Sequence, residues 1–286
     1  MTEWRDWPAW RRVISAAQDQ VGSAATVGAD AAHAIGDLLA KVVDVIPAAF
    51  PEAIVDAVDL LSVSQYAKAP ITNLRNAVYL HIHDGPEAVA GAVADLERRI
   101  RQSWRGIALA GMEVIPEGGT VLIHSASSTV RTVLEMARDH KDFDVVCTRA
   151  MPIGEGTEMA AELRAGGFEV ELIDDDVAIE FLPGMDVVLA GADAVGPTQV
   201  INKVGTAVLA GAAKAFGVPF YLLAATDKIL PAVLFDAALH RRGREDLSEA
   251  ISLDVFSGVT TEIGVMDAEA VAAFAGSIVV AEGLRV

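Results

Sequence analysis

The residues best suited to chemistry lie in the stretch Asp186–Thr206, DVVLAGADAVGPTQVINKVGT. Its apolar run Val187–Ala190 is typical of a strand buried on both faces, and it ends just before Asp193. The pattern then predicts that Asn202 and Lys203 open a helix, with Asn202 as its N-cap. A carboxylate and an ammonium at the carboxyl end of a strand could bind an anionic group such as phosphate. The alternative is a capped helix with a solvated lysine, beside a turn that Asp193 closes.

A second candidate is the serine-rich turn His124–Thr129, HSASST, which precedes another predicted helix. Ser125, Ser127 and Ser128 would present hydroxyl groups and free amides at the start of that helix. Such a turn can cradle a phosphate, and it can equally cap the helix with hydroxyls to spare.

Two more loops have suitable residue types. Thr148–Gly156, TRAMPIGEG, has glycines, including Gly156, that permit close backbone approach to a ligand, and it contributes the cation Arg149. Asp174–Asp176 is a row of three carboxylates, which could hold a cation or form a solvated acidic turn. Because the carboxyl ends of parallel strands share one edge of a sheet, we expect all four loops to meet there.

The elements that must position these loops follow from the alternation of patterns beyond Gly119, which predicts a parallel sheet with right-handed crossovers. The predicted strands are Thr120–Ile123, Phe143–Cys147, Glu169–Ile173, Asp186–Ala190, Val218–Ala224 and Ser277–Val280. The predicted helices are Thr129–His140, Thr157–Ala165, Lys203–Phe216 and Asp267–Phe274. No G-x-G-x-x-G, Walker or G-x-S-x-G motif occurs, so no motif favours a dinucleotide, P-loop nucleotide or hydrolase function.

The first part of the chain has apolar residues at helical spacing and hardly a credible strand. In KAPITNLR, Pro70 disfavours helix at Ala69, so the segment is predicted to begin as a loop and to start a helix near Thr72 or Asn73. The predicted fold class is α/β. A helical N-terminal domain, 1–117, precedes a Rossmann-like domain, 118–286, with a ligand pocket at their interface.

Composition excludes several classes of function. The net charge of −18, from 22 basic and 40 acidic residues, opposes direct nucleic-acid binding. The single cysteine, Cys147, excludes an internal disulfide and a cysteine-based zinc site. No apolar run approaches the roughly 18 residues of a membrane helix and no secretory signal is evident, so a cytoplasmic protein without membrane association is expected. The cluster His81, His83 and Asp84 is interpreted as a turn before Gly85 rather than as a metal site.

Five segments together resemble the family of initiation factor 2B alpha, beta and delta subunits, which also contains methylthioribose-1-phosphate isomerase and ribose-1,5-bisphosphate isomerase. They are HSASSTV (His124–Val130), TRAMPIGEG (Thr148–Gly156), GADAV (Gly191–Val195), VINKVGT (Val200–Thr206) and VPFYLLA (Val218–Ala224). The resemblance implies a helical N-terminal domain, dimerisation through the Rossmann-like domain, and a sugar- or nucleotide-phosphate pocket between the two domains.

The resemblance also implies which residues would catalyse a reaction. The isomerases convert an aldose 1-phosphate to a ketose 1-phosphate without a metal, using a cysteine and the aspartate of GAD. Asp193 matches that aspartate, but Ser125 stands in place of the cysteine, and an unassisted hydroxyl does not exchange its proton near neutral pH. Met151 replaces a phosphate-binding arginine and Glu155 a neutral glutamine, which should weaken a bisphosphate site. Arg149 could compensate in part.

The leading hypothesis is a noncatalytic, regulatory protein similar to the alpha subunit. It would be a homodimer or higher oligomer without a metal or cofactor, would bind a phosphorylated sugar or nucleotide, and would act through a partner such as a translation factor. The expected phosphate-binding residues are His124, Ser125, Ser127, Ser128, Arg149, Gly156, Asn202 and Lys203, with Asp193 on a sugar hydroxyl. The alternative is an aldose-ketose isomerase with Asp193 and Ser125 as catalytic residues. A sugar-responsive repressor is a third hypothesis, but the N-terminus has no helix-turn-helix pattern.

Overall fold

The structure, a computed structural model, describes residues 3–19, 22–240 and 247–285 of the chain. Residues 1, 2, 20, 21, 241–246 and 286 fall within the predicted domain ranges but outside the described residues. The described residues form two compact units: one from Met1–Gln102, Leu230–Arg242 and Gly276–Val286, the other from Ser103–Ile229 and Gly243–Ala275. Two late segments therefore group with the helical unit, so the units do not follow a single cut at 117.

The first unit is helical. Its helices are α1 (Pro8–Gln18), α2 (Ala24–Val45), α3 (Phe50–Ser64), α4 (Ala69–His81), the first part of α5 (Pro86–Glu113) and a later helix, α10 (Ala232–His240). Ser23 caps α2, because its side chain accepts a hydrogen bond from the Thr26 amide at 3.2 Å. Fully buried Leu38, Leu61 and Leu74 belong to one apolar core.

The start of α4 differs from the sequence prediction. The helix begins at Ala69 rather than near Thr72, and Pro70 lies in its first turn. Proline is tolerated there because the first amides of a helix have no intrahelical acceptor, and its fixed φ suits the helix. The predicted loop over Ala69 and Pro70 is therefore wrong.

The second unit is built on a seven-stranded sheet, which confirms the predicted helical and Rossmann-like α/β fold class. The strand order is β10-β9-β7-β4-β1-β2-β3. The strands are β1 (Gly119–His124), β2 (Phe143–Thr148), β3 (Val170–Ile173), β4 (Val187–Ala190), β7 (Phe220–Leu223), β9 (Gly258–Thr261) and β10 (Gly264–Met266). All pairings within it are parallel except that of β10 with β9. The helices of this unit are α6 (Ser128–Arg138), α7 (Glu155–Ala165), α8 (Ala178–Phe181), α9 (Thr206–Phe216) and α11 (Ala268–Ser277), with the end of α5.

A small antiparallel sheet, absent from the sequence prediction, corrects the placement of Asn202 and Lys203. Its strands are β5 (Ala194–Val195), β6 (Gln199–Lys203) and β8 (Ser248–Ser252). Asn202 and Lys203 end β6, so they neither open nor cap a helix. The turn to α9 falls instead at Gly205, whose φ of 98° suits glycine, and the helix begins at Thr206. The prediction failed because β8, almost fifty residues away, completes the sheet around β6.

The predicted strand Ser277–Val280 is also wrong. Ser277 ends α11, and the residues that follow form no strand. The Asn76 side chain instead donates to the Val279 carbonyl at 2.8 Å and accepts from the Ala281 amide at 2.9 Å, within the helical unit. Of this apolar run only Val280 is buried, and Val279 is 64% exposed.

Among the described residues, no helix combines the length and the apolarity that crossing a membrane requires. Nor do the histidine, cysteine, aspartate and glutamate side chains of these residues form a group of three or more that could hold a metal ion.

Candidate functional site

The centre of the candidate site is His124, the last residue of β1, which is 3% exposed. Its Nε2 lies 3.1 Å from the Val204 carbonyl oxygen and its Nδ1 lies 2.7 Å from Thr148 Oγ1. A carbonyl only accepts, so Nε2 carries the proton and Nδ1 accepts from the Thr148 hydroxyl. The ring therefore connects the ends of β1 and β2 to the turn after β6.

Burial lowers the pKa of His124, and the positive charge of Lys203 lowers it further. The hydrogen bond to Val204 and the charges of Asp175 and Glu155 act in the opposite direction, but burial dominates. The ring is therefore neutral at pH 7. A neutral ring with both nitrogens engaged positions the surrounding loops and offers no charge to a phosphate.

Lys203 and Glu155 form a buried ion pair beside His124. The Lys203 ammonium lies 2.8 Å from Glu155 Oε1 and 3.0 Å from Oε2, and the two side chains are 7% and 23% exposed. The Ser125 hydroxyl donates to the same Oε1 at 3.1 Å. Ser125 adopts a φ of 68°, a left-handed conformation that non-glycine residues seldom occupy. The structure thus brings two predicted phosphate-binding residues together around one carboxylate.

The remaining residues of the serine turn have structural roles. Ser127 caps α6, because its hydroxyl accepts from the Val130 amide at 3.3 Å. A Cβ at Gly191 would lie 2.6 Å from Ser127 Oγ, so a larger residue in the GAD segment would displace the capping hydroxyl. The Ser128 carbonyl accepts from Thr132 Oγ1 at 2.9 Å in the first turn of α6. The turn therefore lies against the GAD segment while it caps a helix.

Arg149 pairs with the acidic turn that follows β3. Its Nε donates to Asp174 Oδ1 at 2.5 Å, and the two side chains are 42% and 67% exposed. The carboxylate of Asp175 accepts from the amides of Ala150 and Met151 at 2.8 and 2.6 Å. Asp174 and Asp175 therefore hold the second loop in place.

Gly156 and Asn202 form hydrogen bonds with other groups of the protein. The Gly156 amide donates to the Arg149 carbonyl at 3.0 Å, and a Cβ at Gly156 would lie 1.9 Å from the Thr148 carbonyl oxygen. Asn202 is 7% exposed, and its amide group donates to Thr206 Oγ1 at 3.1 Å. That hydroxyl donates in turn to the Lys203 carbonyl at 2.6 Å. These contacts hold the loops that carry Glu155 and Lys203.

Asp193 follows β4 and lies beside β6, where its amide donates to the Ile201 carbonyl at 3.0 Å. It is half-buried, and its charge acts on a residue that the sequence did not single out, Lys228. Lys228 is 5% exposed, and burial lowers its pKa although Asp227 and Asp193 raise it. In the sequence, the one feature that could have pointed to Lys228 is its position shortly after the VPFYLLA segment.

An open cavity of about 260 Å³ reaches His124. His124, Asp175 and Gly205 line one part of it, and the largely exposed Val208 and partly exposed Ile179 line another. Cys147 is fully buried nearby at the end of β2, and burial raises its pKa to about 12. Its thiol is therefore protonated at neutral pH, as expected of a small buried apolar residue.

Comparison with known proteins gives the site its context. A protein of Pyrococcus abyssi named putative translation initiation factor eIF-2B subunit 2-like is 32% identical over 201 residues, which cover 66% of this chain and 73% of that protein. A ribose 1,5-bisphosphate isomerase of Archaeoglobus fulgidus is 34% identical over 172 residues, covering 57% of this chain and 55% of that enzyme.

Solved structures agree on the fold. The crystal structure of the translation initiation factor eIF-2B of Pyrococcus horikoshii OT3 matches with a TM-score of 0.77 and 23% identity, over 90% of this chain and 96% of that one. The model of the initiation factor 2 subunit family matches residues 20–254. The resemblance carried by the five segments is confirmed, and the chain belongs to the initiation factor 2 subunit family.

Proposed function

We propose that this chain is a noncatalytic, regulatory member of its family that binds a phosphorylated sugar or nucleotide at the edge of the sheet where Lys203 lies. The observation that carries the proposal is the buried Lys203 ammonium, which already holds an oxyanion together with the Ser125 hydroxyl. Cation and hydroxyl donors around one oxyanion are the groups that bind phosphate.

The residues at the position of the expected catalytic thiol support a noncatalytic role. Ser125 donates a hydrogen bond to the Glu155 carboxylate. A carboxylate is far too weak a base to remove the hydroxyl proton and generate an alkoxide. Cys147, whose pKa burial raises to about 12, is fully enclosed and cannot replace the missing thiol. The site would therefore bind a sugar phosphate without isomerising it, and the output would pass through a partner, as the translation-factor names of similar proteins suggest.

Two measurements test this function. A thermal-shift screen of phosphorylated sugars and nucleotides should find a compound that raises the melting temperature of the wild-type protein, because a ligand of the native state stabilises it. Incubation with ribose 1,5-bisphosphate, ribose 1-phosphate and methylthioribose 1-phosphate should yield no ketose product. If the wild type forms a ketose product and Asp193→Asn does not, the noncatalytic role is overturned.

One observation favours the alternative, an aldose-ketose isomerase. Lys228 is buried, its pKa is lowered by burial, and the charge of Asp193 acts on it. A lysine with a lowered pKa gives up its proton more readily than an exposed lysine, so Asp193 and Lys228 could share the proton transfer that a thiol performs elsewhere. In that case Lys228→Met and Asp193→Asn would each remove turnover, whereas Ser125→Ala would retain it.

The proposed oligomer rests on an apolar surface of the second unit, defined by Met151, Ile153, Ile179 and Val208. Their exposed fractions are 53%, 64%, 37% and 63%. Ile179 and Val208 line one cavity with Asp175, and the Asp175 carboxylate accepts from the Met151 amide, which links the second loop to that cavity. Light scattering should show less association in solution for Val208→Asp than for the wild type. Val63→Asp, at a comparably exposed position of the helical unit, is the matched control.

A further inference from the structure

Glu155 is the least expected member of the candidate site. Its carboxylate occupies the place that a ligand oxyanion would take, bonded to the Lys203 ammonium through both oxygens and to the Ser125 hydroxyl through one. Glu155 is also the first residue of α7, so the same carboxylate lies at the amide-rich start of an eleven-residue helix. Two side-chain donors, the Lys203 ammonium and the Ser125 hydroxyl, are therefore already committed to an internal anion.

A phosphate cannot simply join this arrangement. Within a few ångströms, two negative charges repel by an amount comparable to the attraction that each has for the same ammonium. Glu155 is 23% exposed, whereas Lys203 is 7% exposed. Of the two partners, Glu155 is therefore the more accessible to solvent.

We propose that Glu155 determines the specificity of this site by competing with the phosphate of the ligand for Lys203 and Ser125. This inference rests on the proposed function and deepens it. A phosphate binds only after the Glu155 side chain has been displaced toward solvent, so the affinity of the wild-type site for phosphate is low. Ligands that bind must repay the displacement through contacts elsewhere, which excludes small anions and favours a larger sugar phosphate or nucleotide.

The test uses Glu155→Gln, which keeps the shape and removes the charge. Glu158→Gln is the matched control, since Glu158 is an exposed carboxylate in the same first helical turn and so has the same effect on the helix dipole. Inorganic phosphate is titrated into each protein at constant ionic strength and the melting temperature is followed. We expect Glu155→Gln to bind phosphate at least about tenfold more tightly than the wild type, and Glu158→Gln to match the wild type.

The gain must depend on Lys203. Combining Glu155→Gln with Lys203→Met should abolish it, because no cation then remains for the phosphate. Glu155→Asp, which withdraws the carboxylate by one methylene, provides an intermediate case should Glu155→Gln not fold. Equal phosphate affinity of Glu155→Gln and Glu158→Gln, or a gain that survives Lys203→Met, would overturn the inference.

A parallel titration of the wild type with AMP and ribose 5-phosphate separates this inference from the proposed function. If Glu155→Gln gains phosphate affinity through Lys203 while the wild type binds no phosphorylated compound, the competition by Glu155 stands and the proposed function falls. If the wild type binds such a compound and Glu155→Gln shows no gain, the reverse holds. Binding by none of the proteins overturns both.

Discussion

Two cation–carboxylate pairs contribute to the candidate site, and they differ in burial. The Lys203–Glu155 pair is 7% and 23% exposed, whereas the Arg149–Asp174 pair is 42% and 67% exposed. The sequence offers both Lys203 and Arg149 as phosphate-binding candidates. The structure separates them into an inner pair, enclosed beside His124, and an outer pair at the surface.

The difference shows that charge alone does not identify a binding residue. In water an exposed pair gains little, because solvent screens it and the long side chains lose entropy. A buried ammonium depends on its partner, because removing one member leaves a charge that water cannot reach. The inner pair should therefore affect the free energy of unfolding and the binding of an anionic ligand. The outer pair holds a loop at the surface.

The largest expected effect falls on Gly156, in the loop that carries both Arg149 and Glu155. A Cβ at this position would lie 1.9 Å from the Thr148 carbonyl oxygen, so Gly156→Ala forces the backbone apart. We expect a loss of about 3 kcal/mol or more in the free energy of unfolding, measured in urea. Gly211→Ala in α9 is the control. Its Cβ meets no atom within 4 Å, so a gain of about 0.5–1 kcal/mol is expected, and equal effects would contradict the packing.

The inner pair itself should show the next largest effect. Lys203→Met removes the buried ammonium and leaves the Glu155 carboxylate with Ser125 as its hydrogen-bond donor at the site. We expect a loss of about 2–3 kcal/mol at pH 7, reduced from the fully buried case because Glu155 is partly exposed. Arg149→Met, the matched change in the outer pair, should cost less than about 1 kcal/mol. Similar losses for the two variants in urea denaturation would remove the distinction between them.

The pH dependence of stability sharpens the comparison, because His124 belongs to the inner region. Burial lowers its pKa below the ordinary 6.5, so between the folded pKa and 6.5 the unfolded chain binds a proton that the native protein does not. The contribution of His124 to the free energy of unfolding is therefore fully present above pH 6.5, and it decreases as the pH drops from 6.5 through the folded pKa. Replacing His124 with Gln should flatten the urea-unfolding profile there.

The control for His124→Gln is His83→Gln, which changes an exposed histidine. It should leave the shape of the pH profile unaltered. An unchanged slope in His124→Gln would show that another group sets the acid sensitivity.

The smallest expected effect concerns salt. A double-mutant cycle on Arg149→Ala and Asp174→Ala should give a coupling energy of about 0.2–1 kcal/mol that decreases toward zero at roughly 1 M NaCl. The same cycle on Lys203→Ala and Glu155→Ala should retain most of its coupling, since the enclosed pair is screened less. Equal salt sensitivity of the two couplings would show that the inner pair is open to solvent.

Local patterns allowed much of the fold to be predicted. Apolar runs bounded by glycine identified β1, β2, β3, β4 and β7 to within about two residues, because a strand buried on both faces needs a continuous apolar segment. The same criterion failed for Ser277–Val280, where the backbone partner is the side chain of Asn76, about two hundred residues earlier. It also missed β5, β6, β8, β9 and β10, of which β5, with two residues, is too brief to show a period.

The sequence by itself determined the family, the parallel sheet and the loops that follow its strands, because these depend on short-range composition and on segments of distinctive order. Only the tertiary structure decided that Glu155 and Lys203, 48 residues apart, are partners, that His124 is enclosed and neutral, and that Lys228 is buried. The energy of a charged group depends on its burial and on its nearest neighbours in space. Neither quantity is encoded in the adjacent residues.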